Sequence, residues 1–487
     1  MHKTKVLISL IVAGIWMSPV LVPLIPTPAV AQAPTNIEAE IKRLIEQAFQ
    51  QTQEGKPLEA IATLEQALNL ARQIDDKPNQ ALALLGLGFN YNHIGRWQPA
   101  LDTFNQALII FQEVNDRSGE AITLNGIGMV YNDIGQPQKA LEYYQQALPI
   151  SREVNDRSGE AITLNGIGMV YNDIGQPQKA LEYYQQALPI LQEVKNRSGE
   201  AATLNNIGAV YSSIGQPQKA LEYFELALPI MREVKNRSGE AATLTSIGSV
   251  YYSIGQPQKA LEYFELALPI RREVKDRSGE AATLNNIGAV YSSIGQPQKA
   301  LEYFELALPI LREVKDRSGE ATTLNNIGAV YNDIGQPQKA LEYYEQALPI
   351  RREVKDRSGE ATTLNGIGLV YHSIGQPQKA LEYFELALPI RREVKDRSGE
   401  ATTLSNIGLV YDSIGQPQKA LEYFELALPI RREVNDRSGE ATTLNNMGFI
   451  YRDNQEPQKA IDFWRQSVAI TLEIRGGCCC GNSDRSF

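Results

Sequence analysis

The chain has 487 residues, 43% of them hydrophobic and 21% charged, and a formal net charge of −10 at pH 7. This composition fits an ordered protein with enough apolar surface to bury, and the acidic balance argues against bulk attraction to nucleic acid or anionic lipid. The three cysteines are adjacent, Cys478 to Cys480, and lack the C-x-x-C spacing of a zinc or redox site.

In chain order, the first element is a short basic start, MHKTK, followed by the apolar run VLISLIVAGIWM and small-x-small signals at Ala29-Val30-Ala31 and Ala31-Gln32-Ala33. This pattern predicts a secretory signal peptide over residues 1–31, cut after Ala31. The alternative is an uncleaved anchor, against which Pro19, Pro23, Pro26 and Pro28 argue, and no later stretch is apolar enough to span a bilayer. Removing residues 1–31 takes away Lys3 and Lys5 and no acid, so −10 becomes −12. The expected location is outside the cytoplasm, periplasmic or extracellular.

From there the chain repeats. The stretch from Glu113 to Ile150 recurs letter for letter from Glu153 to Ile190, and the motif ALPI returns every 40 residues, at Pro149, Pro189, Pro229, Pro269, Pro309, Pro349, Pro389 and Pro429. Such a period indicates stacked repeats, each burying its apolar face on its neighbours, in place of one central core.

In one unit, Ala121, Leu124, Ile127, Gly128, Val130, Tyr131 and Ile134 share half of a helical circumference. That predicts an amphipathic helix ending at Gly135 in a left-handed cap. A second helix starts with Pro137, where a missing N–H costs nothing, and buries Ala140, Leu141, Tyr144, Ala147, Leu148 and Val154. The segment Asn155 to Glu160 then links to the next unit, with Asp156 or Ser158 as N-cap. Two antiparallel helices per repeat follow. Pro149 sits about 180° from Ala140 and points outward, so the carbonyl of Gln145 can bond to water. Its repetition either shapes the curvature of the second helices or copies a tolerated residue eight times; Ile109 and Ala469 at this place show that folding does not require it.

Leu124, Ile127-Gly128, Tyr131, Ala140, Tyr144 and Ala147 resemble the pattern of the tetratricopeptide repeats. The 40-residue period and charged linker are most similar to the extended subclass found in kinesin light chain and Pins-type adaptors. Two departures stand out: the family's first aromatic is Leu here, and its late proline is replaced by the earlier Pro149. The resemblance implies an all-α, right-handed superhelical solenoid of antiparallel helix pairs, about eleven of them over residues 37–474, followed by an irregular Cys-containing tail at 475–487.

No one-off cluster of titratable residues stands against the repetitive background, so no catalytic, cofactor or metal site is expected. Beyond the signal segment there are two histidines, His93 and His372, read as groove substitutions, and recurrent acids such as Glu142 and Glu160 are read as solvated or helix-terminal charges. The informative face is an arc of about 120° outside the buried stripe, made by Asn125, Gly126, Met129, Asn132 and Asp133 and their counterparts. It resembles the inner, ligand-binding face of the family. One column along it contains Asn125, Asn165, Asn205, Asn285, Asn325, Asn365 and Asn445, interrupted by Thr245 and Ser405; a second contains Asn206, Asn286, Asn326, Asn406 and Asn446. Amides offering donor and acceptor suit the backbone of an extended peptide, although Asn can equally be a polar residue copied with its repeat. A chaperone-type carboxylate clamp is not expected, because Lys is missing at Asn125 and Asn at Met129.

These readings predict an exported scaffold that holds a protein or peptide in a concave groove and binds no nucleic acid, with self-association through the C-terminal repeat, where Trp464, Val468 and Leu472 lack a cover. The alternative is the sensor region of an interrupted caspase-like protease, suggested by the abrupt change of pattern at RGGCCCGNSDRSF.

Overall fold

The structure, a computed structural model, describes residues 35–479, with side chains from 37 to 474. The expected signal peptide and the end of the Cys-containing tail lie outside the described residues. Every described element is an α-helix, and no strand occurs among the described residues. In chain order the helices are α1 (Thr35–Gln53), α2 (Pro57–Gln73), α3 (Lys77–His93), α4 (Trp97–Glu113), α5 (Arg117–Asp133), α6 (Pro137–Glu153), α7 (Arg157–Asp173), α8 (Pro177–Glu193), α9 (Arg197–Ser213), α10 (Pro217–Glu233), α11 (Arg237–Ser253) and α12 (Pro257–Glu273). They continue as α13 (Arg277–Ser293), α14 (Pro297–Glu313), α15 (Arg317–Asp333), α16 (Pro337–Glu353), α17 (Arg357–Ser373), α18 (Pro377–Glu393), α19 (Arg397–Ser413), α20 (Pro417–Glu433), α21 (Arg437–Asp453) and α22 (Pro457–Cys479). The last helix runs five residues into the stretch expected to be irregular, which begins at residue 475.

The helices form two compact units, divided between Val274 and Lys275. The first holds six helix pairs, α1 to α12, and the second five, α13 to α22. Within each unit the chain is a solenoid of antiparallel pairs.

Helix boundaries follow local chemistry. Gly135 adopts φ +73°, and the Gln136 N–H donates to the Tyr131 carbonyl at 2.8 Å, closing α5 with a left-handed cap. The second helices close in the same way without glycine: Asn155 takes φ +54° and Asp156 N–H donates to the Ser151 carbonyl at 2.8 Å. The linker is therefore shorter than expected. Arg157 to Glu160 already form the first turn of α7, capped by Asp156, whose carboxylate accepts the Gly159 N–H at 2.9 Å.

Within a pair, Ala121 and Leu124 pack on Ala147 and Ile150; between pairs, Ala140, Leu141 and Tyr144 pack on Ile167 and Val170. Ile150 belongs to this core, although the wheel for the second helix left it out. Pro149 is exposed beside it, and α6 runs unbroken through it.

Glu160 is a helix-terminal charge, as expected, in the first turn of α7, but it is not solvated. It is 5% exposed and accepts hydrogen bonds from Arg152 and Arg157, and Arg157 also reaches Glu193 at 3.0 Å. A carboxylate taken out of water needs such paired, hydrogen-bonded partners. Glu240, Glu320, Glu360, Glu400 and Glu440 repeat the two-arginine arrangement in their own repeats, and at Glu200 Gln192 replaces the first arginine.

Candidate partner-binding face

Because each first helix buries one stripe on its own second helix and on the preceding pair, its remaining stripe is left uncovered. In the first unit these stripes from α3, α5, α7 and α9 line a cavity of about 440 Å³. Asn125, Gly126, Met129, Asn132 and Asp133, the whole arc singled out on α5, face it. Asn165, Gly166 and Met169 continue the wall on α7, and Asn206 on α9. His93 also lines the cavity and is exposed.

The two asparagine columns differ in what they can offer. In the first, the side chains meet a threonine of the following repeat. Thr163 Oγ1 donates to Asn125 Oδ1 at 2.9 Å, Asn165 Nδ2 donates to Thr203 Oγ1 at 2.9 Å, and Asn205 Nδ2 donates to Thr243 Oγ1 at 2.8 Å. The second unit does the same: Asn285 Nδ2 donates to Thr323 Oγ1 at 2.6 Å, and Asn325 and Asn365 accept from Thr363 and Thr403 at 3.1 and 3.4 Å. Asn125 is buried and the others are half-buried. This column therefore stitches repeat to repeat, and its amides are not the freely available set expected from the wheel, which does not show a threonine 38 residues downstream.

The second column is less engaged. Asn206, Asn286, Asn326 and Asn446 are half-buried and make no side-chain hydrogen bond among the described residues, whereas Asn406 Nδ2 donates to Asn365 Oδ1 at 3.1 Å. Asn445 in the first column likewise keeps its amide unbonded among the described residues. Asn206 alone of the free amides belongs to the cavity described above.

Gly126 and Gly166 belong to the arc read from the sequence; what the sequence did not show is the ring beneath, since a Cβ on Gly166 would lie 2.6 Å from Cζ of Tyr144 and 3.0 Å from its hydroxyl. Tyr144, on the second helix α6, reaches the cavity from below, and burial pushes its hydroxyl pKa up. Ile162 and Leu191 supply further apolar wall.

Asp133 brings charge. It is accessible to solvent, yet the concave surroundings withhold part of its hydration, which raises its pKa; the Asn92 amide, donating to Oδ2 at 2.8 Å, acts in the opposite direction. One repeat on, Asn132 Nδ2 donates to Asp173 Oδ2 at 3.1 Å. The cavity lining contains no Lys or Arg among the described residues. Nor do the described residues contain a group of His, Cys, Asp or Glu able to hold a metal ion, or a helix long and apolar enough to cross a membrane.

A profile of the tetratricopeptide repeat matches the chain in overlapping windows, 44–113, 83–153, 119–193, 159–233, 199–273, 239–313, 279–353, 319–393 and 359–433, and a second profile of the same description matches 441–476. No curated protein matches the sequence. Among solved structures, the chain is similar to the apo form of the quorum sensor NprR from B. thuringiensis, with TM-score 0.53 and 16% identity over 74% of this chain and 99% of that one. It is also similar to a Rap protein complexed with Competence and Sporulation Factor, with TM-score 0.51 and 16% identity over 74% and 99%. A third likeness is to a signal transduction ATPase with a tetratricopeptide repeat sensor from Pyrococcus horikoshii, with TM-score 0.52 and 14% identity over 70% of this chain and 55% of that one. At these identities the likeness is one of fold.

Proposed function

Because this chain belongs to the tetratricopeptide repeat family, we propose that it is a non-catalytic scaffold that holds an extended peptide or partner segment against the first helices of its repeats. The observation that carries this reading is the cavity of about 440 Å³ over α3, α5, α7 and α9, a size suited to a few side chains. Its wall combines apolar side chains with the free amide of Asn206 and the carboxylate of Asp133, the mixture that orients a polar backbone over an apolar floor. The similar Rap protein in complex with Competence and Sporulation Factor and the similar quorum sensor support it by analogy.

The test is site-specific photo-cross-linking. A photoreactive residue at Met169 is expected to capture a partner segment, and one at exposed Glu142 is not. Equal capture at both positions, or none at Met169, would refute the reading.

The scaffold acts outside the cytoplasm in this proposal, on the strength of the signal-like pattern of residues 1–31. It also self-associates through α22, where Ile461, Val468 and Leu472 are 41%, 55% and 62% exposed. Wild type is expected to sediment with a concentration-dependent mass that Val468→Glu with Leu472→Glu abolishes.

A further inference from the structure

The cavity in the first unit is chemically one-sided, and this limits what can occupy it. Its apolar part is a slot lined by Met129, Ile162 and Met169, beside Gly126 and Gly166, whose missing Cβ atoms let the rings of Phe104 and Tyr144 lie close beneath. In the next repeat the place of Gly166 carries Asn206, and the counterpart of Met169 is Ala209. The slot is therefore a property of these repeats and not of the 40-residue frame. Its polar part is made of asparagine amides, His93 and one carboxylate, Asp133, which takes a hydrogen bond from Asn92 on one oxygen only and is in no ion pair among the described residues. A carboxylate in a concave, partly dehydrated site attracts a cation more strongly than one in open water, and repels an anion.

Resting on the peptide-binding reading above, we propose that the segment held here carries a bulky apolar side chain next to a basic one, the first seated in the methionine-lined slot and the second paired with Asp133. An acidic segment is excluded by the same charge. A segment of small polar residues leaves the slot empty and forfeits the hydrophobic contribution.

The experiment uses fluorescence anisotropy with three pools of labelled, end-capped decapeptides whose flanking positions are random mixtures of Gly, Ser, Asn and Thr. Their central pairs are Leu-Lys, Leu-Glu and Ser-Lys. Wild type is expected to bind the Leu-Lys pool about tenfold more tightly than either other pool. Asp133→Ser, which copies Ser213 two repeats on, is expected to bring Leu-Lys and Leu-Glu to within about threefold. Gly166→Asn, which copies Asn206, is expected to reduce Leu-Lys to the level of Ser-Lys. Met169→Ala, copying Ala209, should do the same and serves where Gly166→Asn disturbs Tyr144. Binding of all pools without discrimination, or a Leu-Lys preference that survives Asp133→Ser, overturns the selectivity and leaves peptide binding intact. Binding of no pool overturns the peptide-binding reading and this inference with it.

Discussion

The turn from α8 to α9 and the turn from α16 to α17 share a backbone and have opposite interiors. In the first, Leu191 is 1% exposed and Asn196 caps α9, accepting the Gly199 N–H at 3.0 Å. In the second, Arg351 fills the same place at 8% exposure. Its Nη1 donates to Asp356 Oδ2 at 2.6 Å and its Nη2 to Thr322 Oγ1 at 2.8 Å, while Nε is buried without a partner. Asp356 meanwhile keeps its capping role on the Gly359 N–H at 2.8 Å. The frame accepts an apolar filler with either cap, Leu311 standing beside Asp316 as Leu191 stands beside Asn196, whereas a buried arginine stands beside an aspartate. Arg391 and Arg431 are paired with Asp396 and Asp436, whereas Asn236 accompanies Met231. An asparagine cap carries no charge to neutralise a buried guanidinium. The consequence reaches the binding face, since Ile162 and Leu191 line the cavity of the first unit and Thr322 in the second is engaged by Arg351.

The comparison is broken most severely by moving the charge without its cap. Leu191→Arg should cost about 3–5 kcal/mol, the penalty of an unpaired buried charge, and adding Asn196→Asp should restore most of it. Urea denaturation of the single and double variants measures this; equal losses with either cap would end the pairing rule. A smaller effect is expected in the reverse direction. Arg351→Leu with Asp356→Asn copies the first turn into the second unit and should be neutral or stabilising by about 1–4 kcal/mol, because an apolar filler escapes the desolvation of an ion pair. A marked loss of stability there would mean that the guanidinium holds the turn in a way Leu cannot.

The smallest effect sharpens a second contrast, between the two asparagine columns. Asn165→Ala removes an inter-repeat bond to Thr203 and should cost about 1–2 kcal/mol. Asn326→Ala, with no bond to lose, should stay within about 0.5 kcal/mol of wild type. Thermal unfolding of the two variants separates them, and equal melting temperatures would remove the stitching role from the first column.

Much of the fold was readable from spacing. The period, the helix start at Pro137, the left-handed end at Gly135 and the outward Pro149 all rest on local rules that a single repeat contains, and of the two caps offered, Asp156 and Ser158, the structure uses Asp156. The left-handed Asn155 and Lys195 were less visible, because residues with a Cβ adopt positive φ only when the surrounding caps hold them there. The arc from Asn125 to Asp133 was also found in the sequence, since a helical wheel fixes which side chains share a face.

What a wheel cannot contain is the neighbour. Asn165 reads as a free amide until stacking brings Thr203 beside it, and Glu160 reads as a solvated acid until Arg152 and Arg157 close over it. Gly166 reads as one more position of the uncovered arc until the ring of Tyr144 lies beneath it. The sequence by itself determined the repeats, their helices and the uncovered face, because those depend on backbone propensity and on hydrophobic period. Only the tertiary structure decided which polar groups on that face remain available. The amide bonds join groups nearly 40 residues apart in the chain, which meet only once one repeat has stacked on the next, and the buried Glu160 is held by Arg152 from across the turn between two helices.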